Sequence, residues 1–191
     1  MWIWTFPDRR NKDRLVNLYL LTHGYERERL SEFEERYALV VRTSKGDERV
    51  YLDVATAADP NRLHGSTVEV PWQLGFDHSV PATFEGVDFY VPRPEVLLVL
   101  KAKAALDREH DAKRTFDPFF LQQKAWKDYY DLASILMACT VDVDFLESVV
   151  TEHRFETPFR RAMHQLARKR AVLERRGVRW SELRTKLGRV L

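Results

Sequence analysis

Lys101 is a cation set among apolar residues. At helical spacing Leu97, Leu98, Lys101, Ala104, Ala105 and Arg108 share one face of the stretch 94–110. An ammonium buried without a counter-charge is costly enough to lose its proton, so Lys101 calls for an acidic partner or a bound anion. Lys103 falls with Val99 and Asp107, which reads as a more exposed side offering an i,i+4 partner. A second stretch supplies carboxylates: Asp128 and Asp131, at i and i+3, are bordered by Leu132 and Ile135, and Asp128 is the expected partner of Lys101. Two chemistries fit. Lys101 and the aspartates form an ion pair between packed helices, or Lys101 grips a phosphate while the aspartates orient it or bind a metal. Asp53 is a further candidate, because it lies inside the β-rich run 49–55, where aspartate is disfavoured. It is either a solvent-side or strand-end residue or a metal or base carboxylate projecting from a sheet.

Positioning these side chains requires a sheet followed by helices. The aromatic and β-branched run 2–6 reads as a strand stopped by Pro7-Asp8. Residues 12–23 have helical apolar spacing, with Gly24 as the terminating residue. The charged stretch 26–36 reads as helix or extended loop. Residues 37–43 and 49–55 form a hairpin around Ser44-Lys45-Gly46-Asp47, in which Val50, Leu52 and Val54 point one way. Residues 59–80 carry turn formers and one possible short strand at 67–70, and 83–91 reads as a second hairpin turning near Glu85-Gly86. Pro94 suits the first turn of a helix running to about 110. A linker with Phe116, Phe119 and Phe120 follows, then helices over about 122–139, to 153 with Asp142 or Asp144 as cap, 157–176 and 180–190, the last two split by Gly177. The expected fold is α+β: a partial, mixed or antiparallel sheet domain over 1–92 and a helical domain over 93–191.

Composition narrows the function classes. The chain has 191 residues, 45% hydrophobic and 31% charged, enough apolar mass for an ordinary globular core. No apolar run approaches the roughly 18–20 residues of a membrane span, and the first residues lack the pattern of a signal peptide. A lone cysteine, Cys139, excludes an intramolecular disulfide and reads as core. The expected location is the cytoplasm. The net charge of +2 divides unevenly: residues 1–153 hold 19 Lys+Arg against 26 Asp+Glu, residues 154–191 hold 12 against 3. That basic tail either attracts phosphate backbones or is the solvated face of amphipathic helices. Dinucleotide (GxGxxG), P-loop, HExxH and GxSxG motifs are absent, and an acid–x–Lys pattern occurs only at Asp111-Ala112-Lys113.

The series Pro94-Glu95-x-Leu97-Leu98-x-x-Lys101-x-x-Ala104-x-x-x-Arg108, followed by Lys127-Asp128-x-x-Asp131-Leu132, resembles the later motifs of AbiEii/AbiGii-type nucleotidyltransferases. These belong to the polymerase-β-like superfamily and include toxins of toxin–antitoxin pairs. The order of strand, helix ending in Gly24-Tyr25, hairpin with Leu52-Asp53-Val54 and Pro-initiated helix is similar over roughly residues 2–140. The resemblance implies magnesium-dependent transfer of a nucleotide from an NTP to an acceptor such as tRNA, with a cognate antitoxin as partner. By position, Asp53, Lys101 and Asp128 would be catalytic, with Asp53 a metal ligand. Lys101 would contact the triphosphate, with Arg108 and Asp131 beside it. The family's Gly-Ser turn and Asp-x-Asp strand have no counterpart here, and Trp2-Ile3-Trp4 resembles the continuation of that strand. The expectation is that Met1 is internal to a longer enzyme or that this is a shortened relative; either way these 191 residues transfer little or no nucleotide.

Overall fold

The computed structural model describes residues 2–6, 9–29, 35–56, 70–71, 73–84, 86–116 and 118–191. The fold is mixed α+β, and it divides into two compact units: Met1–Asn61 with Pro71–Phe76, and Arg62–Val70 with Asp77–Leu191. The second hairpin therefore belongs with the helices, whereas the sequence reading drew the division at residue 92.

In the first unit β1 (Trp2–Phe6), β2 (Glu26–Arg29), β3 (Glu35–Thr43) and β4 (Gly46–Thr56) form a sheet in the order β1-β4-β3-β2. β1 runs parallel to β4 and the other neighbours are antiparallel. The β3–β4 hairpin closes at Thr43↔Gly46, and Gly46 has φ 118°, a conformation that L side chains rarely adopt. Between β1 and β2 the chain is helical throughout Arg9–His23: α1 (Arg9–Leu15) widens to a π turn over Val16–Leu20 and tightens to a 3-10 turn over Leu21–His23. Gly24, at φ 81°, ends it in a Schellman pattern, with Tyr25 N donating to Leu20 O at 3.0 Å. Val16, Leu20, Tyr37, Leu52 and Val54 make the core of this unit, so the Leu52–Val54 face of β4 is the buried one and Val50 is exposed. The stretch 26–36, expected as helix or loop, contains strand β2. A short helix, α2 (Gln73–Asp77), lies where no element was expected, and the strand expected at 67–70 falls outside the described residues apart from Val70.

In the second unit β5 (Ser79–Phe84) and β6 (Val87–Pro92) pair as the expected hairpin. Among the described residues six helices follow: α3 (Pro94–Asp111), α4 (Pro118–Ala138), α5 (Val143–Glu152), α6 (Glu156–Arg168), α7 (Arg170–Arg175) and α8 (Trp180–Val190). α3 is central, packing against α4, α5 and α6. Pro118 opens α4, so Phe119 and Phe120 are helical rather than linker residues. Asp142 caps α5 by accepting from Phe145 N at 3.1 Å. The expected helix over 157–176 is broken at Lys169, whose ammonium lies 4.8 Å from the Trp126 ring centre, 4.4 Å from that of Tyr129 and 3.3 Å from Glu109. Cys139 stands one residue past α4 and is half-buried, not a core residue.

Candidate functional site

The second unit brings together four of the five candidate residues. Lys101 Nζ donates to Asp131 Oδ2 at 2.6 Å and to Asp128 Oδ1 at 3.2 Å, so Asp131 is the closer partner. Arg108 Nη1 donates to the second oxygen of Asp128, and Lys127 Nζ reaches Asp131 Oδ2 at 3.0 Å. Three cations thus surround two carboxylates across the α3–α4 contact. Their exposures differ in a way that matters: Asp128 is 2% exposed, Arg108 16%, Lys101 31% and Lys127 56%. The cluster is buried at the Arg108–Asp128 end and open to water at the Lys101–Lys127 end.

Burial alone would raise the Asp131 pKa, but the hydrogen bonds and charges of Lys101 and Lys127 outweigh it and hold the carboxyl below its ordinary value. A depressed folded pKa stabilises fully above the unfolded value, about 3.9, and that contribution is lost as pH falls through the folded pKa. Asp131→Asn is therefore expected to lower the urea midpoint at pH 7. The gap to the wild type should narrow steadily below about pH 4. A gap that persists unchanged to pH 2 would assign the loss to shape rather than charge.

Asp53 belongs to the first unit. It sits on β4, a strand paired on both sides, in register with Ile3 of β1 and Arg36 of β3. The same unit holds an ionic cluster that the sequence reading missed. Glu35 accepts from the Tyr37 hydroxyl at 2.9 Å, lies 3.5 Å from the buried Lys12 ammonium and pairs with Arg27. Burial, then the Glu35 hydrogen bond and charge, push the Tyr37 hydroxyl up to about 12.

α3 also carries charges that a single-face reading misplaced. Lys103, expected on the more exposed side, is 2% exposed, and its ammonium is bonded to Asp107, which is fully buried. The physical reason is which half of α3 faces the bundle: Val96, Leu98, Val99, Ala102, Ala105 and Leu106 are buried on one half of its circumference, and Lys103 falls within that half whereas Lys101 lies on the other, where Leu97, Ala104 and Arg108 are half-buried. Lys101, read as the buried lysine, is the one that reaches water. Glu95, also missed, is buried and accepts from Asp142 N at 2.7 Å and Arg93 Nε at 3.2 Å, tying the start of α3 to the cap of α5. The only signal for it in the sequence was an acid in a first helical turn.

The donor chemistry does not make a magnesium centre from the described side chains. Asp128 and Asp131 already accept from ammonium and guanidinium groups, and among the described residues no three His, Cys, Asp or Glu side chains gather as ligands. No helix of the described residues is long and apolar enough to cross a membrane.

These features define a mixed α+β chain with an ionic cluster between two of its helices. No protein-family model, no curated protein and no solved structure matches it. The resemblance to AbiEii/AbiGii-type enzymes rests on the motifs alone.

Proposed function

We propose that the second unit carries the phosphate-side half of a nucleotidyltransferase-like site, with Lys101 and Lys127 as its cations. One observation supports this reading above others. Lys101 is held by two carboxylates yet keeps about a third of its side chain in water, beside the more exposed Lys127. Lys127 adds a second, more exposed ammonium beside it, and an ordered ammonium is a suitable donor to a nonbridging phosphate oxygen. Asp128, with one oxygen on Lys101 and the other on Arg108, acts as the positioning residue, and Asp131 competes with the ligand for the Lys101 and Lys127 ammoniums. In this reading the ligand is a nucleoside triphosphate in the cytoplasm. The resemblance adds magnesium, Asp53 as a metal carboxylate, a tRNA acceptor and an antitoxin partner. The one Asp-x-Asp of the sequence, Asp142-Val143-Asp144, opens helix α5 rather than sitting on a strand, so it does not supply the strand carboxylates on which transfer depends.

Calorimetric titration of ATP, GTP, CTP and UTP tests the proposal. Lys101→Met is expected to weaken whichever binds by roughly 10–100-fold, the equivalent of one charge-assisted hydrogen bond. A second reading has its own support: both oxygens of the almost fully buried Asp128 are engaged by α3 cations, as in a simple helix fastening. Under that reading none of the four triphosphates gives heat, and Lys101→Met alters stability alone.

A further inference from the structure

The outer face of α6 carries arginines from Arg160 to Arg168. Phe159, Ala162, Met163 and Leu166 are buried, and the opposite arc exposes Thr157, Arg160, Arg161, His164 and Arg168. The one acid of α6, Glu156, is half-buried at its start. Among the described residues no carboxylate forms an ion pair with Arg160, Arg161 or Arg168. Elsewhere in residues 154–191 the charge is partly neutralised: Lys169 lies 3.3 Å from Glu109, Arg170 3.0 Å from Glu174 and Arg179 2.7 Å from Glu182. Three of the arginines that make up the excess therefore share one helical arc.

We infer that this arc docks the phosphodiester backbone of a nucleic acid. From Arg160 to Arg168 the guanidinium row spans roughly 12 Å of helix at 1.5 Å per residue. Three guanidiniums spaced over that length can each meet a phosphate of one flexible single strand, so about three phosphate contacts are expected. The residue type fits as well, since ten of the twelve cations in residues 154–191 are arginine, whose planar fork bonds two oxygens at once. A lipid surface is a poorer match: the apolar face of α6 is spent on the bundle core, leaving no apolar anchor beside the charges. The inference stands whether or not Lys101 takes a nucleotide.

The test is fluorescence anisotropy of a labelled 20-nucleotide oligouridylate over about 50–200 mM KCl, the range in which phosphate contacts are read from the salt slope. The wild type should bind. Arg160→Gln/Arg161→Gln/Arg168→Gln should make the slope of log K against log salt shallower by about 2, at about 0.7 per lost contact. A charge-matched variant, Arg175→Gln/Arg184→Gln/Arg189→Gln, should leave that slope unchanged. All five exposed arc positions are outside the core, and near-ultraviolet dichroism verifies that each variant is folded. Absence of binding by the wild type at the lowest salt overturns the inference, as does an equal loss in both variants, which would mean bulk attraction. Competition by polyglutamate as effective as that by unlabelled oligouridylate also overturns it, in favour of an acidic protein partner.

Discussion

Asp107→Ala is expected to lower the unfolding free energy by about 3–5 kcal/mol, the cost of breaking a buried ion pair from one side. Lys103 and Asp107 are both essentially out of water, one turn apart on the central helix α3. Removing the carboxylate leaves a buried ammonium without the partner it has now, and such a group sheds its proton or opens the structure. Replacing the pair together should cost less than Asp107→Ala alone, because Lys103→Met/Asp107→Leu strands no ammonium, and what loss remains belongs to the other interactions of Asp107. Urea unfolding of the two single variants and the double decides the matter. A loss under about 1 kcal/mol for Asp107→Ala would show that the ammonium has another satisfactory partner or reaches water.

How much of this was legible follows from what each element packs against. The β3–β4 hairpin could be read because its turn residues and β-branched runs agree, and Gly46 supplies the positive φ that the turn needs. β2 could not, because its Glu-Arg-Glu-Arg sequence has no apolar alternation; among the described residues it is an edge strand, paired on one side only, where charge is a common substitute. The start of α4 was missed because Phe116, Phe119 and Phe120 read as one aromatic linker, whereas Pro118 was the local signal that separates them. Lys101, Asp128 and Asp131 could be brought together from spacing, since i,i+3 and i,i+4 relations survive in any helix. Which lysine is buried could not. Exposure depends on how many neighbours a helix has, and α3 has three packed against it. For the same reason the Glu95 bonds to Arg93 and to the backbone of Asp142 needed coordinates: Glu95 and Asp142 are 47 residues apart, and no periodicity links them.

Asp128→Asn should be the most damaging change within the Lys101 cluster, at about 2–4 kcal/mol, whereas Asp131→Asn should cost about 1 kcal/mol or less. The asymmetry comes from burial. Asp128 is almost fully buried, and it is the carboxylate that holds Arg108, itself largely out of water; Lys101 would keep Asp131 at 2.6 Å. Asp131 is a quarter exposed, and its second cation, Lys127, is more than half in solvent, so water can replace what the carboxylate supplied. A cycle with Arg108→Met isolates the buried half: the Asp128–Arg108 coupling should lie within about 0.5–3 kcal/mol, and a value near zero would place the loss elsewhere in the α3–α4 contact. The open half answers to ligand. If Lys101 and Lys127 receive a triphosphate, Asp131→Asn removes a competing carboxylate and should tighten NTP binding while slightly lowering stability. Stability and affinity then move in opposite directions, which a purely structural cluster has no means of producing.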